Sequence, residues 1–429
     1  MTRGARSTQA VVAAVVFLAV AGAPATARIR FGADGDSRPR GQARPVAGLL
    51  VQFRPGVLDT DRRRAISDAG GRFGLRLGLV RGASVTVADG DTLEALRDRL
   101  RAAPGVLRVE DNAPMAVAKN PNDPGFEQQY ALAESADNDI DAPAAWNRLT
   151  TCATVAVLDT GIQLNHPDLK QNLWTNGKET NNGLDDDGNG YVDDVNGVDT
   201  VTGRGSGEDE NGHGTHVAGI IGARGNNGRG ISGLCWKVKI INVRIMDADG
   251  RGYVAQQVAG IEYALRAGAK VINCSFGGPD SSDVMRDAIA EARKQGALIV
   301  AAAGNDGVDT DKRPFYPASY PDSNVLSVAA TDDRDRLASF SNYGDKTVDL
   351  AAPGDAVGST YLRSDYRYMS GTSMAAPYVA AAAAQLREFK SSWDAGDISF
   401  RLRQKGDELS SLRGKTAFGE RLNVYRALG

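Results

Sequence analysis

The sequence has no excess of basic residues, no long apolar run and few histidines and cysteines. Its 50 Lys and Arg are outnumbered by 53 Asp and Glu, which gives a net charge of −3 and an isoelectric point near 5.8. Without a basic field no nucleic-acid partner is expected, despite arginine-rich patches near the N-terminus. The 42% of apolar residues and the mean hydropathy of −0.31 are typical of a soluble globular protein, and no internal repeat or low-complexity tract is visible.

The lack of a membrane-spanning run is most informative at the N-terminus. The apolar residues 10–21 form a run shorter than the roughly 20 residues that cross a bilayer. They follow Arg3 and Arg6 and precede Ala25-Thr26-Ala27, which is the arrangement of a signal peptide and its cleavage site. Residues 1–27 are therefore predicted to be a signal peptide, and the protein to be secreted, extracellular or periplasmic, without a stable membrane anchor. An uncleaved anchor is the alternative.

The composition changes after the predicted signal peptide. Residues 28–47 are rich in Arg, Gly, Asp and Pro and show no apolar periodicity, which predicts a linker. Residues 48–118 show the pattern of a small α+β domain. Its predicted strands are Leu49–Phe53, Ala83–Val87 and Val106–Glu110, and its predicted helices are Asp61–Ala69 and Thr92–Arg101, the second capped by Asp91.

Residues 119–429 alternate apolar strands with helical segments. The alternation predicts an α/β domain built on a doubly wound, mostly parallel sheet with helices on both faces. Helices are predicted near His213 and over Val254–Ala267 and Asp283–Gln295. The predicted strands are Val155–Leu158, Lys239–Ile245, Val271–Cys274, Leu298–Ala302 and Val325–Ala329.

Three short motifs carry an acid, a base and a nucleophile. Asp159 ends the apolar strand of VAVLDTGI, His213 opens the helix of NGHGTHVAGIIGA, and Ser373 lies in SGTSMAAP. A serine hydroxyl becomes a good nucleophile when an imidazole takes its proton and a carboxylate fixes that imidazole. Each residue alone would more often be a cap or a turn residue. Because the whole chain has three histidines, the joint occurrence of these motifs favours a catalytic triad.

With these motifs the chain resembles the subtilisin-like serine proteases, close to their thermitase-like secreted branch, from about Asn122 to Gly429. The resemblance implies a serine endopeptidase that works through an acyl-enzyme. Ser373 would be the nucleophile, His213 the base, and Asp159 the carboxylate that orients the base.

The resemblance also implies two donors for the tetrahedral intermediate. One is the side-chain amide of Asn305, which ends the buried strand of LIVAAAGN. The other is the backbone N–H of Ser373, which points outward if a helix starts there with Pro377 in its first turn. His166 and His216 match structural positions of the family and are given no catalytic role.

The substrate cleft implied by the resemblance holds an extended peptide between main-chain segments, with broad preference and an apolar or aromatic P1 residue. Glycines suit such a close approach of two backbones. The alternative is that these segments are ordinary loops. The residues implied are Gly250, Arg251, Gly252, Ser275, Phe276, Gly277, Ala303 and Gly304.

Residues 48–118 resemble the inhibitory prodomain of the same family, especially in GVLRVEDNAPMAV. The resemblance implies a monomeric zymogen that is inhibited by its own prodomain, cuts itself near Met115–Lys119, and then acts on proteins or peptides. The alternative is an unrelated ferredoxin-like domain, because such short elements recur in many proteins.

One acidic loop, DDDGNGYVDD over residues 185–194, matches the ligand spacing of an EF-hand calcium loop. Its twelfth position is Asn196 instead of a bidentate Glu, so the motif is incomplete. Similar insertions in subtilisin-like proteases are associated with calcium, and the resemblance implies a structural Ca²⁺. A solvated acidic turn is the alternative. The implied ligands are Asp185, Asp187, Asn189, Tyr191 and Asp193.

Three cysteines are an odd number for a secreted protein. In the family that the chain resembles, the strands that follow Cys152 and Cys235 are neighbours, which implies a disulfide between these two residues. Cys274 lies in the apolar strand of VINCSF and is expected to be a buried thiol rather than a nucleophile.

Two further functional classes need weighing. Residues 228–233 match a G-x-G-x-x-G pattern, but no strand is predicted before it and no helix after it, so a dinucleotide site is not expected. An inactive, protease-like binding module is the stronger alternative. It rests on Tyr378, where the family commonly has His, and on Ala381, where it commonly has Gly and where a methyl group could crowd a helix contact.

Overall fold

The computed structural model describes residues 48–88, 90–112, 120–133 and 138–429. The predicted signal peptide, the linker and the maturation segment at residues 115–119 lie outside these ranges. The described residues form two compact units, of which the smaller ends at residue 112 and the larger begins at residue 120.

The smaller unit is a four-stranded antiparallel sheet with two helices. Its sheet order, β2-β3-β1-β4, is that of ferredoxin-like domains. Leu49, Val51 and Phe53 alternate toward the helices and are buried, as expected for a half-buried strand. The elements are β1 (Gly48–Phe53), α1 (Asp59–Asp68), β2 (Gly71–Leu77), β3 (Gly82–Val87), α2 (Leu93–Ala102) and β4 (Val106–Asp111).

Two details of this unit differ from the prediction. Strand β2, with the sequence GRFGLRL, was not predicted because its two glycines and its exposed edge position hide the strand pattern. The cap of α2 is Thr92, whose hydroxyl accepts from the backbone N–H of Ala95 at 3.2 Å. Asp91, the predicted cap, instead accepts from the N–H of Thr92 and pairs with Arg99.

The larger unit is built on a nine-stranded sheet with the order β14-β15-β11-β10-β9-β8-β5-β7-β6. Every pairing in it is parallel except that of β14 with β15. The strands are β5 (Val155–Asp159), β6 (Gly197–Asp199), β7 (Ile240–Arg244), β8 (Val271–Cys274), β9 (Leu298–Ala302), β10 (Val325–Thr331), β11 (Leu350–Pro353), β14 (Asp407–Glu408) and β15 (Glu420–Arg421). The predicted doubly wound α/β sheet is confirmed.

Helices cover both faces of this sheet. Along β5, Val155 and Val157 pack into one buried cluster, and Ala156 and Leu158 pack into the other. The helices are α3 (Ala142–Trp146), α4 (His213–Gly222), α5 (Val254–Arg266), α6 (Asp283–Lys294), α7 (Thr372–Phe389), α8 (Ala395–Gln404) and α9 (Val424–Leu428). Helices α4 and α7 share the first cluster, and α5 and α6 share the second. The alanines of α7 are fully buried, because small side chains let this helix lie close to the sheet.

A hairpin of β12 (Val357–Tyr361) and β13 (Asp365–Met369) lies on α4. Its hydroxyl groups donate to the helix backbone, Ser359 to the carbonyl of His216 and Thr360 to that of Thr215, each at 2.7 Å. Gly219 allows this contact, because a Cβ there would overlap both hydroxyl oxygens. The hairpin therefore holds the helix that begins at His213.

Cys152 and Cys235 form a disulfide with their Cα atoms 5.8 Å apart, between the segments that enter β5 and β7. Cys274 is a buried free thiol, and burial raises its pKa well above the usual range, so it is held neutral. Within the described residues, no helix combines the length and the apolar character that crossing a membrane requires.

Candidate active site

Asp159 and His213 meet at the carboxyl edge of the large sheet. Asp159 is the last residue of β5 and is fully buried. Its Oδ1 accepts the backbone N–H of Thr160 at 2.8 Å and lies 2.7 Å from Nδ1 of His213. His213 opens α4 after Gly212, whose φ of +104° is a conformation that glycine adopts without strain. The pair is thus fixed by a strand end and a helix start.

The charge around His213 favours its protonated form. Burial by itself would lower its pKa, but the charge of Asp159, its hydrogen bond and the charge of Asp209 outweigh burial and raise the pKa above its usual value. His216, on the same helix, behaves in the opposite way. Burial lowers the pKa of His216 to about 3, and its Nε2 lies 3.0 Å from the carbonyl of Arg367. Of the two histidines on α4, His213 is therefore the one whose surroundings favour taking up a proton.

Asp209 is a second buried carboxylate at this edge, which nothing in the sequence patterns singled out. Its Oδ1 accepts from the hydroxyl of Thr160 and the backbone N–H groups of Asn211 and Gly212, each at 2.9 Å. Its Oδ2 accepts from the backbone N–H and the hydroxyl of Thr215, at 3.0 and 2.6 Å. Asp209 therefore links the residue after Asp159 to both sides of His213.

Ser373 is the second residue of α7, and its Oγ donates to the carbonyl oxygen of Ser275 at 3.1 Å. The helix starts at Thr372, so Pro377 is its sixth residue. The prediction that Pro377 lies in the first turn is wrong, because a turn has about 3.6 residues and the sixth residue lies in the second turn. The Ser373 N–H still belongs to the first turn, where backbone donors have no partner within the helix.

Asn305 is held so that its amide group can serve as a donor. Its Oδ1 accepts from the backbone N–H and the hydroxyl of Thr372, at 2.8 and 2.9 Å. The same hydroxyl accepts from the N–H of Gly304 at 3.1 Å. A Cβ on Gly371 would lie 3.4 Å from Nδ2 of Asn305 and 3.6 Å from the backbone nitrogen of Ser373. The two nitrogens thus border one space, which the absence of a side chain at Gly371 keeps open.

The predicted substrate segments follow the strand ends. The segment that contains Ser275, Phe276 and Gly277 follows β8, and Ala303 and Gly304 follow β9. The third segment, which contains Gly250, Arg251 and Gly252, lies in a turn before α5, where Gly250 has a φ of +75° and its N–H donates to the carbonyl of Asp247.

The ring of Phe315 packs against two of these segments, a contact that the sequence patterns did not indicate. A Cβ on Gly304 would lie 3.1 Å from its ring, and a Cβ on Gly277 would overlap the ring. Both glycines therefore leave room for this ring. The two departures from the family pattern lie elsewhere: Tyr378 and Ala381 are buried in α7.

The acidic loop brings part of the predicted ligand set together. Carboxylate oxygens of Asp185 and Asp187 and of Glu179 lie within 4.8 Å of one another. Glu179 was not among the predicted ligands because it precedes the EF-hand-like spacing. It is buried, its Oε1 accepts the N–H of Asp187 at 2.9 Å, and its Oε2 has no hydrogen-bond partner among the described residues.

The other predicted ligands make contacts within the loop. Asp193 accepts from the backbone N–H groups of Asn182 and Gly183, at 2.8 and 2.9 Å. Asn189 accepts from the N–H of Tyr191 at 2.8 Å, and the ring of Tyr191 lies edge-on to that of Tyr263.

The sequence of this chain is similar to those of known proteases. Residues 151–418 match the model of the subtilase family. Thermitase of Thermoactinomyces vulgaris is 39% identical over 310 residues, which cover 72% of this chain and 99% of thermitase. A thermophilic serine proteinase of Bacillus sp. (strain AK1) is 34% identical over 89% of this chain and 86% of its own length.

Solved structures show the same likeness. A protease from Pseudoalteromonas arctica PAMC 21717 superposes with a TM-score of 0.61 at 28% identity and covers 72% of this chain and 99% of its own. A cold-adapted subtilisin-like serine proteinase superposes over the same shares with a TM-score of 0.54, also at 28% identity.

Proposed function

Because the chain belongs to the subtilase family and is a serine endopeptidase, we propose that Ser373 is its nucleophile, His213 its general base and Asp159 the carboxylate that orients the base. The observation that carries this proposal is the buried contact of 2.7 Å between Nδ1 of His213 and Oδ1 of Asp159. It fixes the imidazole so that its other nitrogen is the one available for proton transfer.

In the proposed reaction, Ser373 Oγ attacks the carbonyl carbon of the scissile peptide while His213 takes the hydroxyl proton. The resulting oxyanion accepts hydrogen bonds from the Ser373 N–H and from Nδ2 of Asn305. When the C–N bond breaks, His213 returns the proton to the leaving amine, and an ester remains on Ser373. Water, deprotonated by His213, then hydrolyses this ester and restores the free hydroxyl.

The substrate would bind as an extended chain. Strand ends that carry backbone donors and acceptors favour main-chain recognition, and this supports proteins and peptides of varied sequence as substrates. The segments proposed to form the cleft are residues 250–252, 275–277 and 303–304.

We further propose that the protein is made as a secreted zymogen. The signal-peptide pattern of residues 1–27 supports export, and the ferredoxin-like unit resembles the inhibitory prodomain of the family. Cleavage after this unit, near Met115–Lys119, would release the mature enzyme.

A structural calcium ion is proposed for the acidic loop. The residues fit the ion, because three carboxylates converge. In addition, Oε2 of the buried Glu179 has no hydrogen-bond partner among the described residues and could bind a cation. Oxygen ligands are those that Ca²⁺ prefers. Glu179, Asp185 and Asp187 would hold the ion, and Glu179 would supply the acidic ligand that Asn196 cannot.

The experiment that tests the proposed function compares the full-length protein with Ser373→Ala over time. Intact mass follows maturation, and denatured casein reports proteolysis, both with calcium present. We expect the wild type to lose residues up to the segment 115–119 and then to degrade casein, and the variant to do neither. If both proteins stay intact and inactive, the inactive binding module becomes the better interpretation.

A further inference from the structure

Ser373 is unusual in α7 because the helix does not provide the usual partner for its carbonyl group. In an α-helix this carbonyl would accept from the N–H of the residue four positions on, which is Pro377. Proline has no N–H, so this hydrogen bond cannot form. A proline inside a helix normally lowers the stability of the helix. In α7 the carbonyl that loses its partner is that of Ser373, the proposed nucleophile.

The free carbonyl of Ser373 is bound by another part of the chain. The hydroxyl of Ser275 donates to it at 3.0 Å. This hydroxyl in turn accepts from Nδ2 of Asn273 at 2.9 Å, and Asn273 is fully buried in β8. Ser275 is buried as well, so water does not compete for these bonds.

We propose that Ser275 is a positioning residue that acts on the nucleophile through its hydroxyl group. Pro377 leaves the Ser373 carbonyl free to accept the hydrogen bond from this hydroxyl. The chain from Asn273 through Ser275 to Ser373 connects the rigid centre of the sheet to the first turn of α7. It thereby fixes the backbone that carries both Ser373 Oγ and the Ser373 N–H. This proposal rests on the proposed function, in which both groups take part in the reaction.

The role concerns the Ser275 hydroxyl and is separate from the substrate contact expected of the Ser275 backbone. Loss of the hydroxyl would leave the buried Ser373 carbonyl without a donor and let the helix start shift. Because a buried carbonyl without a donor is unfavourable, the shifted helix start would be populated, and we expect Ser275→Ala to lower kcat about tenfold. KM should change little, because the shift affects the reacting groups more than the peptide-binding segments.

A double-mutant cycle with Pro377→Ala tests the link between the two residues. Alanine at 377 supplies the missing N–H, which can bind the Ser373 carbonyl within the helix. We therefore expect Ser275→Ala to lower kcat less than about threefold in the Pro377→Ala background, against about tenfold in the wild-type background. Ser399→Ala is the matched control, since Ser399 is a buried serine whose hydroxyl has no partner among the described residues. It should leave kcat unchanged.

The measurement uses full-length protein matured to one N-terminus and a chromogenic peptide anilide, with kcat and KM determined separately. Equal losses from Ser275→Ala in both backgrounds, or a rise in KM at constant kcat, would overturn the proposal. If Ser275→Ala does not fold, Ser275→Cys keeps the shape with a weaker donor, and a kcat equal to that of the wild type would overturn it too. Hydrolysis that persists in Ser373→Ala would contradict the proposed function itself, whatever Ser275 does.

Discussion

Carboxylates cluster in two regions of the large unit, the sheet edge beside His213 and the acidic loop. The two regions differ in the groups that face these carboxylates. At the edge of the sheet, both oxygens of Asp209 accept from N–H and O–H donors. Oδ1 of Asp159 accepts from a backbone N–H and lies against His213, while its Oδ2 has no partner among the described residues. In the acidic loop, Asp185 and Asp187 also accept from backbone N–H groups, but their carboxylates converge with that of Glu179 within 4.8 Å, and Oε2 of Glu179 has no donor among the described residues.

The difference separates a preorganised site from one that needs an external charge. Donors that the chain itself supplies hold Asp159 and Asp209 in place before any substrate binds. Carboxylates that converge on one another repel unless a cation or a proton intervenes. The sheet edge that carries Asp159, Asp209 and His213 is called the catalytic edge below, after its proposed role. We expect the catalytic edge to respond to mutation of its donors, and the acidic loop to respond to removal of metal.

The largest effect is expected at the catalytic edge, from Asn305→Ala. Loss of one oxyanion donor costs about 2.7 to 4 kcal/mol, a range measured on subtilisin, which belongs to the same family. Turnover should fall about a hundredfold or more with KM nearly unchanged, because the donor acts on the oxyanion and not on the bound peptide. Steady-state kinetics on a peptide anilide measure both constants.

Thr372 provides the control for Asn305. Thr372→Ser keeps the hydroxyl that donates to Oδ1 of Asn305, whereas Thr372→Val removes it. Turnover should therefore be retained in the serine variant and reduced in the valine variant. An Asn305→Ala enzyme with the turnover of the wild type would contradict the assignment of the oxyanion donor.

The second effect concerns the acidic loop, where removal of metal should lower thermal stability. A ligand that binds only the folded state stabilises it, so EDTA should lower the melting temperature by about 5 °C or more if calcium is bound. In Glu179→Gln the melting temperature should no longer depend on EDTA. At a temperature well below unfolding, kcat should be the same with and without EDTA, because the catalytic edge has its own donors.

Asp186→Asn is the matched control for this loop. Asp186 is an acidic neighbour that accepts from Thr180 and Asn182 and does not belong to the convergent cluster. It should keep the EDTA dependence that Glu179→Gln loses. Equal melting temperatures of the wild type with calcium and with EDTA, together with no bound metal by mass spectrometry, would remove the calcium proposal.

Some strands of the fold could be predicted from the sequence, and others could not. Strands such as Val271–Cys274 and Leu298–Ala302 are continuous apolar runs, and buried parallel strands have that appearance in any sequence, so their bounds were predicted as observed. The hairpin β12–β13 was not predicted, because its polar and aromatic residues do not form a continuous apolar run. Two of them, Ser359 and Thr360, bind the backbone of α4. Contacts between distant segments leave no periodic pattern.

The candidate site divides in the same way. The motifs around Asp159, His213 and Ser373 are local and could be recognised from spacing. The roles proposed for Glu179 and Ser275 depend on contacts that only the fold creates. The carboxylate of Glu179 lies beside those of Asp185 and Asp187, and the hydroxyl of Ser275 donates to the carbonyl of Ser373. Residue spacing contains no information on such contacts, so these roles required the structure.

The smallest expected effect tests whether the charge at the catalytic edge matters beyond geometry. The charges of Asp159 and Asp209 raise the pKa of His213, whereas the nearby His216 is neutral and adds no charge above its pKa of about 3. His213 must be neutral to accept a proton, so activity falls as the pH drops through this raised pKa. Removal of one negative charge in Asp209→Asn lowers the pKa. The acid limb of kcat/KM should then move to lower pH, by about half a unit.

Glu210→Gln is the control for this shift, since Glu210 is exposed and already paired with Arg244 at 2.7 Å. Its pH profile should match that of the wild type. A shift of Asp209→Asn toward higher pH, or an equal shift in both variants, would show that the carboxylate of Asp209 does not contribute its charge to His213. In that case Asp209 would organise the helix start by hydrogen bonding alone, and the contrast with the acidic loop would be one of geometry rather than of charge.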